Sequence, residues 1–288
     1  MKYNEILAKS DPKKTLIEHT NDCLQWLSDV LNWNDVLITK ISERYLLSKS
    51  NIIKRIFMTV AFHDVGKANE RFQDKVRGVK SNKLESHALT SVPFIYEVVK
   101  DKPIKVVDGN PFFPEILAIA SHHSKLKKGL FQDYERMKIT FASKDYFQTF
   151  YDNINQQAIK LNVPDWQILK LNDKLFEENP YYVFYDEAFD YISSFKFEKT
   201  NVVRDLFLLF KSVLHYCDWL ASSNKTVYNY SANENIESIT AKMKIKVPQF
   251  ITWEPFQLNA AKLTSKNIFI QIPTGQGKTE ASVLWATE

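Results

Sequence analysis

The sequence has few cysteines, little net charge and no long apolar run. Its 288 residues include only Cys23 and Cys217 as cysteines, too few for a secreted disulfide scaffold, which favours a reducing compartment. The net charge of +4 is mild, so any nucleic-acid footprint has to be local. No uncharged apolar run approaches the roughly 20 residues of a membrane helix, and the N-terminus lacks a signal-peptide core. We therefore expect a soluble cytoplasmic protein.

Apolar residues make up 44% of the chain and recur mainly at helical spacing, which predicts a mainly α fold with a sizeable core. The triplet Ser10-Asp11-Pro12 is typical of a helix start, because a capping residue is followed by proline in the first turn. The helix expected after it carries an apolar face of Leu16, His19, Cys23, Leu24 and Leu27. Further helical patterns cover residues 51–62, 84–99, 114–120, 146–161 and 202–221.

The pattern changes after residue 226. Residues 227–246 are largely polar and charged, which we interpret as a linker. Within residues 247–288, an apolar strand pattern (NIFIQI, 267–272), a glycine-containing turn and a helical pattern follow one another, as in the opening unit of a P-loop domain. One such unit cannot bury itself. We therefore expect a main domain at 1–226 and a fragment of a second domain at 247–288, in a shortened form or piece of a longer chain.

Five of the six histidines fall in a series with two aspartates. His63 and Asp64 are adjacent at a helix end and point in different directions, so each can approach a metal only with ligands from other helices. His19 upstream and Asp218 downstream would complete one mixed imidazole–carboxylate site. The second site would take its imidazoles from His87, His122 and His123, with Asp64 bridging the two sites.

The order H…HD…H…HH…D resembles the HD superfamily of metal phosphohydrolases. The fuller pattern is similar to the CRISPR-associated nuclease–helicase family of type I systems, in which an N-terminal HD nuclease precedes a superfamily 2 helicase. The matching segments are His-Asp-Val-Gly-Lys at 63–67, Ser86-His87, Ser121-His122-His123 and Asp218-Trp219-Leu220-Ala221-Ser222. The resemblance covers roughly the first 225 residues and the closing P-loop. It implies an HD-domain helical bundle followed by a truncated α/β (RecA-like) opening segment.

The chemistry of phosphodiester cleavage fits these residue types. A bound metal lowers the pKa of water, and a second metal can clamp the phosphate. Neutral imidazoles suit Mn, Fe, Ni, Co or Zn better than Mg alone, and the resemblance implies one or two divalent transition-metal ions. We expect Asp64 and Lys67 to act in catalysis, with Lys67 holding the scissile phosphate or stabilising the leaving oxygen. Ser222 matches the family's terminal serine and would support a ligand.

Each of these residues also has a structural interpretation. The alternatives are a core histidine for His19, a capped helix end for His63-Asp64 and His87, a polar helix end for His122-His123, and a solvated side chain for Lys67. One of the paired histidines would then only orient the other. His215 lies three residues before Asp218 but matches no ligand of the family, so we interpret it as structural.

A short basic stretch follows the double histidine. Lys125, Lys127 and Lys128 lie close in sequence to the predicted metal site, where they would contact a phosphate backbone. The alternative is a solvated charged face. The stretch therefore supports DNA binding without establishing it.

Residues 273–279 (PTGQGKT) match the helicase form of the Walker A motif. Their backbone N–H groups would cradle phosphates at a helix N-terminus. The predicted nucleotide-binding residues are Gly275, Gly277, Lys278 and Thr279, together with Gln257, which resembles the adenine-reading glutamine of such helicases. No acidic Walker B motif follows. We therefore expect no ATPase activity from this chain alone, with ATP and Mg used only in the full-length helicase.

Three functions from different classes remain to be compared. The leading hypothesis is an HD endo- or exonuclease, monomeric, that cleaves single-stranded DNA exposed in an R-loop and is recruited by an RNA-guided CRISPR surveillance complex. An HD phosphohydrolase of small nucleotides is the alternative, against which the P-loop and the long segment 129–200 argue. A non-catalytic module that docks a helicase would require damaged ligands, whereas this ligand set is complete.

Overall fold

The computed structural model describes residues 3, 5–79, 86–105, 111–123, 140–172, 187–188, 190–191, 201–223, 235–247, 249–263, 271 and 277–287. The chain divides into two compact units, Met1–Asn224 and Lys225–Glu288, and each is described by itself. Within the described residues, no helix is both long and apolar enough to cross a membrane.

The first unit is built mainly from helices, as predicted. They are α1 (Leu16–Trp33), α2 (Asp35–Tyr45), α3 (Lys49–Phe62), α4 (Glu70–Val76), α5 (His87–Val99), α6 (Pro114–Ala120), α7 (Lys144–Lys160) and α8 (Asn201–Ser222). A 3₁₀ turn at Val65–Ala68 lies between α3 and α4. Two short antiparallel hairpins complete the described elements: β1 (Leu7–Ser10) with β2 (Lys13–Thr15), and β3 (Ile104–Lys105) with β4 (Pro111–Phe112).

The first helix begins later than predicted. Ser10 ends β1 and pairs with Lys13, so the expectation of a helix start at Ser10-Asp11-Pro12 is wrong. Helix α1 starts at Leu16, where the Thr15 hydroxyl accepts from the Glu18 N–H and the Glu18 carboxylate accepts from the Thr15 N–H. This reciprocal capping box satisfies two backbone donors at once, which Ser10 cannot do because Lys13, rather than Glu or Gln, lies three residues after it.

The core brings five elements of the first unit together. Helix α1 packs against α3 and α8, and α6 packs against α3, α5 and α8. All seven residues of α6 are buried, and so are all residues of α3 from Arg55 to Phe62. Helix α8 buries one stripe at helical spacing, which includes Leu206, Phe210, Val213 and Asp218. A tightly packed core of this kind holds the ends of neighbouring helices in fixed positions.

The second unit contains three described helices: α9 (Ile236–Lys246), α10 (Pro255–Ala261) and α11 (Lys278–Thr287). Its small core is formed by Ile239, Trp253, Ala261 and Leu284. The C-terminal part of the predicted linker 227–246 is thus helical, and Ile239 of that helix packs in this core. The expected strand at 267–272 lies outside the described residues except for Gln271, so the truncated P-loop unit stays a prediction.

Candidate metal centre

Seven of the side chains singled out from the sequence meet in the first unit. His19 lies in the first half of α1, and Asp218 lies in the last turn of α8. The others stand at helix ends: His63 and Asp64 follow α3, His87 begins α5, and His122 and His123 follow α6. Helix ends provide such positions because the chain turns there and its side chains can point into a shared space.

The first group of possible metal ligands is His19, Cys23, His63 and Asp218, whose donor atoms all lie within 4.8 Å of one another. The Asp218 Oδ1 atom is 3.3 Å from His19 Nε2 and 3.9 Å from His63 Nε2. All four residues are buried. A fully buried set of imidazoles and a carboxylate is able to hold a divalent metal.

The second group is Asp64, His87, His122 and His123, with donor atoms again within 4.8 Å of one another. The Asp64 Oδ1 atom is 3.3 Å from His87 Nε2 and 3.7 Å from His122 Nε2. The Nε2 atoms of His87 and His123 are 2.8 Å apart. His123 is exposed and His87 is half-buried, so this group opens toward solvent while the first group does not.

Asp64 faces both groups, one oxygen to each. Its Oδ2 atom is 3.2 Å from His19 Nε2 and 3.3 Å from His63 Nε2, while Oδ1 faces His87 and His122. A bridging carboxylate needs its two oxygens directed at two separate ion positions. The orientation of Asp64 meets this requirement, although its role as a bridge stays a prediction.

Backbone carbonyls orient two of the imidazoles toward the centre. His63 Nδ1 donates to the Val60 carbonyl at 2.8 Å, and His122 Nδ1 donates to the Ile119 carbonyl at 2.6 Å. A carbonyl only accepts, so Nδ1 carries a proton in each ring, and Nε2 is the ring nitrogen that faces the centre and would hold a metal. Among the described residues, neither Nε2 atom has a hydrogen-bond partner, and neither does Asp64 Oδ1. Buried polar atoms without a partner, directed into the two groups, fit bound metal.

Two buried carboxylates give the centre negative charge. Burial alone raises the pKa of Asp64, but His63 and Lys67 outweigh it and hold the pKa well below its usual range. Burial likewise opposes ionisation of Asp218, yet the nearby imidazoles of His19 and His63 keep its pKa low. Burial lowers the pKa of His63, whereas the charges of Asp64 and Asp218 raise it to about 10. Ionised carboxylates at both groups are what a cation requires.

The histidines at the open edge stay neutral. Burial, together with the neighbouring His122 and His87, lowers the pKa of His123 to about 3. Burial also lowers the pKa of His87, despite the opposing effect of Asp64. Neutral imidazoles keep the lone pair that a metal ligand needs.

Cys23 is the member of the first group that the sequence analysis did not propose as a ligand. Its Sγ atom lies 3.7 Å from His19 Nε2, one helical turn along α1. Burial and the nearby Asp218 raise the pKa of this thiol well above its usual range, so it is protonated beside the carboxylates. The spacing of four residues between His19 and Cys23 was the available sequence signal.

Comparison with known proteins shows the family to which this chain belongs. The family described as "Cas3, HD domain" matches residues 7–227, a segment that contains all seven predicted ligands. This chain belongs to the Cas3 HD-domain family. A predicted CRISPR-associated nuclease/helicase Cas3 of Methanocaldococcus jannaschii is 27% identical over 249 residues, which cover 78% of this chain and 33% of that protein. The chain thus spans about a third of the length of this curated relative. No solved structure matches it.

Two further predicted residues of this Cas3 HD domain contact the ligand aspartates. The Lys67 ammonium is 2.5 Å from Asp64 Oδ2 and stands over the Phe72 ring at 5.5 Å from its centroid. The Ser222 hydroxyl donates to Asp218 Oδ1 at 3.3 Å. Their positions are compatible with the predicted roles, which stay predictions.

The predicted DNA-contacting lysines of the Cas3 HD domain, Lys125, Lys127 and Lys128, lie outside the described residues, and so does Gly275. In the second unit, Lys278 and Thr279 begin α11 and are exposed.

Gln257 is buried in that second unit and engages its neighbours. Its Nε2 donates to the Gly277 carbonyl at 3.0 Å, and its Oε1 accepts from the Glu254 N–H at 2.8 Å. The Gln257 amide would have to break these hydrogen bonds to bind an adenine base. The nucleotide-binding role of Gln257, Lys278 and Thr279 stays a prediction.

Proposed function

We propose that this chain is a metal-dependent phosphodiesterase that cleaves single-stranded DNA in type I CRISPR interference. The observation that carries the proposal is the meeting of two histidine-rich groups at one carboxylate, Asp64, whose oxygens face one group each. Membership of the Cas3 HD-domain family supports DNA as the substrate class.

The donor set favours a transition metal. Five imidazoles and two carboxylates suit Mn, Fe, Co, Ni or Zn, bound as one or two ions. A divalent metal would supply a Lewis acid for the phosphate and lower the pKa of an attacking water. Asp64, Asp218 and the five histidines would hold it.

The rest of the mechanism rests on this chain's own residues. The first group is buried, whereas His87 and His123 stand at the open edge, so we expect the scissile phosphate to approach from the second group. The Lys67 ammonium lies beside Asp64 with little of its side chain exposed. It can bind a phosphate oxygen and stabilise the negative charge that develops on the leaving oxygen.

The partners of the proposed reaction are those that the resemblance to type I CRISPR nuclease–helicases implies. A CRISPR-associated nuclease/helicase acts with an RNA-guided surveillance complex that exposes one DNA strand, and we extend this to the present chain. ATP and Mg would serve the helicase of the full-length protein. We expect this chain to act in the cytoplasm as a monomer.

Circular single-stranded DNA tests the proposal. We expect the purified chain to degrade the circle with Mn²⁺ or Ni²⁺, because a circle has no ends and is opened only by internal cleavage. EDTA should stop the reaction. A folded protein that retains metal but leaves the circle intact, while hydrolysing a small nucleotide or cyclic dinucleotide, would instead support an HD phosphohydrolase. A folded protein that binds no metal and shows neither activity would support a non-catalytic docking module.

Lys67→Ala is expected to lower kcat for single-stranded DNA by roughly 10²-fold, because it removes one preorganised cation from the developing charge. Bound metal should remain at the wild-type level, since Lys67 is not a ligand. The measurement pairs steady-state kinetics with elemental analysis of the purified protein. Lys75→Ala is the matched control, because this lysine is exposed on α4. Loss of metal in Lys67→Ala, or an unchanged kcat, would contradict the assigned role.

A further inference from the structure

Helix α8 carries two exposed aromatic side chains beside the metal centre. Trp219 is 65% exposed and Tyr216 is 55% exposed. They are three residues apart and therefore lie on the same face of the helix. Neighbouring Trp and Tyr side chains that are exposed to solvent mark a binding surface, because burying them is strongly favourable.

The indole of Trp219 is held in place by a side chain of the same helix. The His215 ring stacks on it with centroids 5.4 Å apart and an angle of 16° between the planes. His215 Nε2 in turn donates to the His122 carbonyl at 2.6 Å. The sequence analysis interpreted His215 as structural. Its contacts agree with that interpretation and add a link, because the residue ties the indole to the backbone of a predicted metal ligand.

The position of Trp219 relative to the centre follows from the helix. Asp218 points into the first group of ligands, and the next residue is rotated by about 100° around the helix axis. Trp219 therefore points away from the first group, and its stacking on His215 places it beside the backbone of His122, at the rim of the second, open group. A side chain that is exposed, flat and fixed at the rim of a phosphodiesterase site can bind the nucleotide next to the phosphate being cut.

We propose that Trp219, stacked on His215 and flanked by Tyr216, forms a platform on which a base of the single strand stacks beside the scissile phosphate. This inference rests on the proposed nuclease function. Stacking on an aromatic face is the general mode by which single strands are bound without sequence preference, because every base has a π-face. The platform thus explains how a strand of any sequence is positioned at the metal centre.

The test compares kcat and KM on two strands of equal length, a normal oligonucleotide and one whose bases are replaced by abasic sites. Trp219→Ala is expected to raise KM for the normal strand about tenfold, a typical effect of removing one stacking contact, and to leave kcat nearly unchanged. KM for the abasic strand should be the same in wild type and variant, because no base is present to stack. Trp219→Phe should restore most of the wild-type KM.

Trp33→Ala is the matched control. Trp33 is 57% exposed and lies on α1, fourteen residues after His19, which corresponds to about 21 Å along the helix. The control should show wild-type KM on both strands. Circular dichroism and metal content of the Trp219 variants should equal those of the wild type, because the indole is 65% exposed and stacks on a side chain of its own helix.

Equal KM values for wild type and Trp219→Ala on the normal strand would overturn the platform. So would a KM that rises equally on both strands, since that would reflect a contact with the backbone. If wild-type protein cleaves neither strand, the proposed nuclease function fails first. The platform is then tested by fluorescence anisotropy of the same uncleaved strands. Wild type should bind the normal strand more tightly than Trp219→Ala does, and the two proteins should bind the abasic strand equally.

Discussion

Asp64→Ala is expected to abolish metal-dependent DNA cleavage, with a loss of at least about 10³-fold. The reason is that each Asp64 oxygen faces a different group of histidines, so the change removes one ligand from both groups at once. A metal Lewis acid is worth several kcal/mol of transition-state stabilisation. Each 1.36 kcal/mol corresponds to a tenfold change in rate. Loss of both ion positions therefore removes most of the catalysis.

Metal content and thermal stability provide readouts that do not depend on activity. A ligand that binds only the folded state raises Tm, so Mn²⁺ or Ni²⁺ should raise the Tm of EDTA-treated wild type. That rise should be much smaller in Asp64→Ala and in Asp64→Asn, which preserves side-chain volume. Asp29→Ala, an exposed carboxylate on the same helix as His19, is the control and should behave as wild type. A variant that keeps both the metal-induced rise and the activity would reject Asp64 as a shared ligand.

Gly66→Ala is expected to destabilise the fold by about 3 kcal/mol, near the upper end of overpacking effects. A Cβ atom at Gly66 would lie 2.3 Å from Thr90 Oγ1, 2.4 Å from the His87 carbonyl oxygen and 2.6 Å from the Ser91 nitrogen. Two of these atoms belong to the backbone of the first five residues of α5 and cannot rotate away. The start of α5 would have to move, and His87 would move with it.

Urea unfolding of the two alanine variants separates steric overlap from backbone strain. Gly78→Ala is the control, because Gly78 has a φ of +76° but no atom within 4 Å of an added Cβ. It should cost only about 1 kcal/mol, the typical strain of a left-handed residue with a side chain. The Gly66 variant should also bind less metal than wild type. A loss of stability no larger than that of Gly78→Ala would show that α5 adjusts freely to the added methyl group.

The sequence predicted the elements whose signals are local. Helix α6 begins at Pro114 as expected, because proline suits a first helical turn, and the long apolar stripe of α8 indicated its extent to within a residue at each end. Helix α2 escaped prediction because only Ile38 and Ile41 are buried along it, too few to produce a clear period. The β1–β2 hairpin escaped because strands of four and three residues are too short to show alternation.

The role of Gly66 could not be predicted from local sequence signals. A glycine just after a helical pattern is expected to end that helix, but α3 already ends at Phe62. The glycine is required where the 3₁₀ turn passes the backbone of α5, with the Gly66 N–H donating to Ser91 Oγ at 2.8 Å. Contacts between segments more than twenty residues apart leave no periodic signal in one sequence.

The sequence by itself determined the order and types of the seven predicted ligands and the helical nature of the main unit, because motif order and apolar spacing are local properties of the chain. Only the tertiary structure decided how those residues are grouped. Packing of α1, α3, α5, α6 and α8 places Cys23 in the first group and points each oxygen of Asp64 at a different group. It also brings backbone carbonyls to the Nδ1 atoms of His63 and His122, which orients both rings. It also places the stacked pair of Trp219 and His215 beside the centre. Distances between helices depend on how side chains from distant segments fill a shared core, and spacing along the chain does not contain them.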